Sequence, residues 1–142
     1  MAYCTQTDIE KLISPGELAA LTTEGGPTPD ATVIAECIAA ADGEIDGYLG
    51  TKFAVPLSPV PDRVKSLSVD IALYRLYIRR PLMEAPKDRR RAYEDAIAFL
   101  KAVVAGTATI GASATAPPAV SSEVHGFGYA ERIFSRDKLK GF

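Results

Sequence analysis

Between Ala41 and Tyr77 the chain reads ADGEIDGYLGTKFAVPLSPVPDRVKSLSVDIALYRLY. Two stretches with helical spacing of apolar residues flank a crossing with prolines at 56, 59 and 61. Proline removes a ladder donor and is confined to strand edges, so the crossing cannot be a central strand. The link is short, so the two helices must stay close and pack as a hairpin-like unit. That unit is the expected core, with every other segment packed on it or projecting from it.

The first of these helices starts earlier. Asp30 is a good N-cap, and Val33/Ile34, Cys37/Ile38, Ala41, Ile45 and Tyr48/Leu49 recur every three to four residues up to Leu49. Gly50 is placed as the residue just past its end. Gly43 and Gly47 weaken the helix by about 1 kcal/mol each relative to Ala. Beside Ala35, Ala39 and Ala40 they suggest close approach by another backbone, or simple tolerance. The crossing from Thr51 to Pro61 is expected to be extended, with some of Phe53, Val55 and Leu57 tucked in.

The second helix spans about Pro61 to Arg79, where Arg79-Arg80-Pro81 stops it. Val64, Leu67, Ile71, Tyr74 and Ile78 form one stripe. Leu73, Leu76 and Tyr77 widen it, which predicts a helix covered on more than one side. A last long helix runs from about Lys87 to Ala105, with Tyr93, Ala96/Ile97, Leu100 and Val103/Val104 inward and Gly106 after its end. Lys87, Arg89, Arg90 and Arg91 lie in its first turn, where positive charge opposes the helix dipole and calls for acidic partners such as Asp88, Glu94 or Asp95.

Two short helices precede this body. Thr7 and Glu10 have capping-box spacing, and Ile9, Leu12 and Ile13 form an apolar face behind them. Ser14-Pro15-Gly16-Glu17 restarts the pattern, with Leu18 and Leu21 inward. Thr22 to Pro29 is a loop on glycine and proline grounds. The expected fold is therefore all-α: a small bundle of four or five helices, two or three of them long, over residues 1–106. Residues 107–142 form an extended C-terminal arm. The arm starts as an Ala/Thr/Ser-rich run with Pro117-Pro118, then regains Phe127, Tyr129, Phe134 and Phe142 without a period that would bury them.

A net charge of −2 on 142 residues conceals a strong asymmetry. Residues 1–50 carry nine acids and one base, 51–106 eleven bases and six acids, and 107–142 four bases and three acids. Such flanks can complement each other within a chain, pair between copies, or lie solvated. No apolar run is long enough to span a membrane, and the N-terminal MAYCTQTDIEKL has neither a basic start nor an apolar h-region.

Residue chemistry points away from catalysis. The single histidine, His125, sits among glycines with no nucleophile or carboxylate at a motif spacing. Cys4 and Cys37 make neither a disulfide framework nor a zinc site; Cys37 reads as a core residue and Cys4 as a free thiol near the terminus. Their use fits a reducing cytoplasm. Asp42, Glu44 and Asp46 lack the calcium-loop pattern and lie inside a helical period, as a solvated carboxylate face would. HGFGYA has no phosphate-cradling context. No enzymatic activity, cofactor or metal is expected. Lys87–Arg91 could instead touch nucleic-acid phosphates, which leaves a small DNA-binding or regulatory helical protein, using those residues and the basic tail, as the alternative reading.

The hairpin DGEIDGYLGTKFAVPL…VPDRVKSLSVDIALYRLY, then RRAYEDAIAFLKAVVAGTATIG, then the terminal FSRDKLKGF, resembles the small helical head–tail adaptor (connector) proteins of Mu-like tailed bacteriophages and their prophages. The resemblance runs from Tyr3 to Phe142. It implies a non-catalytic virion protein of the neck, made in the host bacterial cytoplasm. It implies a ring, usually of twelve copies, below the portal protein, extending a channel through which genomic DNA passes without specific binding and presenting a surface to a stopper or tail-completion protein. On that analogy Phe127, Tyr129, Ile133, Phe134 and Phe142 are the apolar anchors of the arm on the portal or a neighbouring subunit. Arg132, Arg136, Lys138 and Lys140 are its charged contacts. Asp42, Glu44 and Asp46 are candidates to pair with Arg89, Arg90 and Arg91 of the next copy.

Overall fold

A computed structural model describes residues 2–80 and 84–111 of the chain. The described residues are all-helical: α1 (Gln6–Glu10), α2 (Pro15–Thr22), α3 (Ala31–Leu49), α4 (Asp62–Ile78) and α5 (Lys87–Ala105). Of the expected arm, 107–142, residues 112–142 lie outside them.

The largest helix–helix contact is the α3–α4 pair, as the sequence around the proline crossing requires. α4 is the central element. It touches α1, α2, α3 and α5, and its buried residues (among them Val64, Leu67, Ile71, Leu73 and Leu76) surround much of its circumference. α5 is an edge helix that buries Ala96, Leu100 and Val103 against the α3–α4 pair. The crossing tucks Leu57 into the core, half-buries Phe53 and Val60, and leaves Val55 outside.

The helix ends follow local chemistry. The Asp30 carboxylate accepts from the amides of Thr32 and Val33 at 2.8 and 3.5 Å, and Ser14 Oγ accepts from Glu17 N at 3.2 Å. Gly106 adopts φ 82°, a left-handed conformation that lets Thr107 N reach back to Ala102 O at 2.9 Å. Beyond it Ile110 is buried, so the chain stays on the body past 106.

Several expectations are corrected. The cap of α1 is Thr5, not Thr7: Asp8 Oδ2 accepts from Thr5 N and Thr5 Oγ1 at 3.1 and 2.7 Å. Both threonines have an acid three residues on, and only the Thr5 register lets Asp8 also meet Lys11 and Lys65, at 3.0 and 3.1 Å. Gly50 keeps right-handed φ −59°, because the chain winds on to amide bonds from Lys52 and Phe53 to Leu49 O. Its missing side chain matters for space, since a Cβ would come within 2.9 Å of Asp46 O. A Cβ at Gly43 or Gly47 meets nothing within 4 Å, so no backbone among the described residues approaches there. Cys4 is fully buried rather than a loose terminal thiol, while Cys37 is only half-buried. Leu12 and Ile78, assigned to apolar faces by spacing, are exposed.

Candidate functional site

Asp42, Glu44 and Asp46 of α3 face inward more than a solvated helix face would, while Glu36 is exposed. Asp42 is 8% exposed and accepts from Tyr3 N at 3.0 Å and from Ser68 Oγ at 2.6 Å. Asp46, one turn on, accepts from the Tyr3 hydroxyl, and that hydroxyl oxygen accepts from Leu57 N at 2.9 Å. Two carboxylates thus hold the N-terminal segment at both its backbone and its ring, and the ring holds the proline crossing. Burial, reinforced by the bond to Asp46, pushes the Tyr3 phenol up to about 12. Ser68 has a single proton, which goes to the carboxylate as the stronger acceptor; its oxygen lies 3.1 Å from Cys4 Sγ. Burial raises the Cys4 thiol, which is therefore a packed group rather than a nucleophile.

Glu44 faces the other way and ties three helices together. It accepts from Arg75 Nη2 at 2.7 Å and from the Tyr93 hydroxyl at 3.0 Å. The Tyr93 ring stacks on Tyr74 with centroids 4.4 Å apart. Burial, then the bond to Glu44, raises the Tyr93 phenol. Glu17 plays a similar part for α2, accepting from the buried Tyr77 hydroxyl, whose phenol burial pushes up to about 12. Asp42, Glu44 and Asp46 therefore all have partners within the chain.

The basic start of α5 is arranged differently. Arg89 Nη2 donates to Leu12 O at 3.0 Å, stitching α5 to the turn that follows α1. Arg90 Nε lies 3.3 Å from Glu94, with both side chains largely in water, where such a pair contributes little. Lys87 and Arg91 are exposed, with no partner among the described residues. Of the acids expected to neutralise this turn, only Glu94 does so. The arm residues Phe127, Tyr129, Arg132, Ile133, Phe134, Arg136, Lys138, Lys140 and Phe142, and His125, lie outside the described residues. Among the described residues no three His, Cys, Asp or Glu side chains come together as metal ligands, and no helix is long and apolar enough to cross a membrane.

Tyr3 and Ser68 are the residues that reading the sequence missed. Neither sits in a local pattern. The only hint was Asp42, an acid at a position one residue from the apolar stripe of α3.

A profile of the family described as Bacteriophage Mu, Gp36 matches residues 3–126. This chain belongs to that family. It is also similar to the Mu-like prophage FluMu protein gp36 of Haemophilus influenzae (strain ATCC 51907 / DSM 11121 / KW20 / Rd), with 31% identity over 113 residues that cover 80% of this chain and 77% of the relative. The Gp36 match opens on Tyr3, the residue held by Asp42 and Asp46, and takes in all five helices. It stops short of the FSRDKLKGF end.

Proposed function

We propose that this chain is a structural protein of a Mu-like phage virion: a head–tail adaptor that forms a ring below the portal, extends the DNA channel and receives a stopper or tail-completion protein. The observation that carries this reading is membership of the Gp36 family of Mu-like phages across residues 3–126. The polar interior fits a scaffold: its carboxylates and phenols join helices and the N-terminal segment to one another. Arg91 and Lys87 point to water at one end of α5, available to a partner. In this reading the arm from 112 to 142 supplies a contact with the portal or a neighbouring copy through Phe127, Tyr129, Ile133, Phe134 and Phe142, with its four basic residues at the rim. Genomic DNA passes through the ring without being bound, and the protein carries out no reaction.

The test is a binding competition between portal and DNA. Full-length protein should co-sediment with the purified cognate portal and leave a labelled duplex unshifted. A protein that ignores the portal and binds the duplex, with affinity falling steeply as salt rises, would instead be the DNA-binding alternative. Removing residues 121–142 should preserve the helical circular-dichroism spectrum and abolish co-sedimentation; a truncated protein that still docks would take the arm out of the contact.

A further inference from the structure

A helix face turned to water is ordinarily polar, and the outer face of α3 is not. Past Glu36 its exposed residues are Ala39, Ala40, Gly43 and Gly47. The two glycines weaken the helix by about 1 kcal/mol each relative to Ala. Nothing among the described residues stands within 4 Å of where a Cβ at either would lie, so the described body makes no use of their small size. Ala35, Ala39 and Gly43 instead form one wall of a surface hollow of about 530 Å³, with Asp42, Asp46 and Pro56 of the crossing around it.

Charge narrows what can fill that hollow. Among the described residues Asp42 and Asp46 are the only charged groups of its lining, and their bonds come from neutral donors alone, on Tyr3 and Ser68. Neither has a cation within 4.0 Å among the described residues. α3 as a whole carries four acids and no base, and of the four only Glu44 is paired with a described cation. The occupant that fits is apolar at its centre and basic at its edges.

The C-terminal arm contains such a segment. Residues 131–140 read ERIFSRDKLK, with Ile133-Phe134 between Arg132 and Arg136 and four bases against two acids in all. The arm also starts close by. A Cβ at Gly106 would stand 3.3 Å from Lys52 Nζ, and Ile110 is packed into the core, so the chain leaves the body beside the end of α3. Gly43 precedes Lys52 by about 13 Å of helical rise. The residues between 111 and 133, at up to about 3.3 Å each, can cover several times that distance.

We propose that in the free subunit this segment lies on its own α3, with Ile133 and Phe134 in the hollow against Ala39 and Gly43 and with Arg132 and Arg136 toward Asp42 and Asp46. The contact gives the arm a resting place on the body before a portal takes it. The contact itself stands on the hollow and the arm; its release by a portal rests on the adaptor reading.

A disulfide trap in the full-length chain tests the contact. In a Cys37→Ser background, with buried Cys4 left in place, Gly43→Cys/Phe134→Cys puts one thiol in the hollow and one on the arm. Diamide takes up the two electrons and two protons released as the S–S bond forms. In dilute protein a cross-linked monomer should form at least about ten-fold faster than in Lys101→Cys/Phe134→Cys, whose body thiol is exposed and nearer the start of the arm. Adding Arg132→Glu/Arg136→Glu should slow the hollow pair to the rate of that control. Equal rates for the two pairs would overturn the proposal, as would disulfide-linked dimers in place of monomers, which would put the arm on another copy. The cross-linked chain should fail to co-sediment with the cognate portal and recover on reduction; docking while still cross-linked would overturn the release. A chain that cross-links at the control rate yet binds the portal leaves the adaptor reading standing and this contact wrong. A chain that cross-links fast but ignores the portal even when reduced leaves the contact standing and the adaptor reading wrong.

Discussion

Tyr3→Phe removes one oxygen atom and keeps the ring, so its effect isolates the clamp between the N-terminal segment, α3 and the proline crossing. Two consequences follow from the geometry. The bond to the Asp46 carboxylate is lost, and bonds to charged groups contribute about 1.5–3 kcal/mol. The amide of buried Leu57 loses its acceptor, which costs about 1–3 kcal/mol. Asp46 is only partly buried and regains water, so the two terms do not add in full. A net destabilisation of about 2–4 kcal/mol is the expectation, a large share of the roughly 5–15 kcal/mol of a small domain. In urea, followed by circular dichroism at the helical band, the slope should hold and the midpoint should fall by about 1–3 M. Exchange of the Leu57 amide should quicken about 30-fold or more if it proceeds by local opening. Tyr48→Phe, whose hydroxyl has no hydrogen bond among the described residues, is the control and should stay within about 0.5 kcal/mol. A Tyr3→Phe midpoint indistinguishable from that of Tyr48→Phe would refute the claim that the Tyr3 hydroxyl holds these elements together.

Three other outcomes follow. Tyr3 and Tyr77 have phenols raised to about 12 in the folded chain, against about 10 unfolded. Their contribution is complete below about pH 10 and lost as pH rises toward about 12, so urea midpoints should fall over that window and a Tyr3→Phe/Tyr77→Phe double variant should show a flatter decline. The Thr5 hydroxyl foremost, then Lys11 and Lys65, hold the Asp8 carboxyl well below its ordinary value. Its contribution is present above about pH 4 and lost as pH falls further, and Asp8→Asn should flatten the acid limb of a pH–stability curve. Ile71→Ala, in the fully buried centre of α4, should cost about 2–5 kcal/mol in the same urea assay, and Ile78→Ala within about 0.5 kcal/mol.

Helices α2, α3 and α5 were legible because their end signals are local. Asp30, Ser14 and Gly106 each mark a boundary through a bond made within five residues. The start of α1 was misplaced because Thr5-x-x-Asp8 and Thr7-x-x-Glu10 have the same spacing, and the choice falls to Lys65, far along the chain. Leu12 and Ile78 show the limit of periodicity: it gives the angle of a side chain on its helix, not how far the neighbouring helix covers it. Asp42 shows another limit. In the sequence it stands in an acidic run, and its partners lie 39 and 26 residues away. Nothing local separates a buried acceptor from a solvated one. The Mu-like phage family was readable from the IDGYL…PLSPVP stretch in its helical context, which falls within the matched residues.

The adaptor role itself is tested most directly by electron microscopy of the neck of the mature phage particle, reconstructed without imposed symmetry. The account predicts a ring of this five-helix body, twelve copies by the family resemblance, stacked below the portal and lining the DNA channel. A neck in which the density between portal and tail is filled by other proteins, with this body absent, would contradict it.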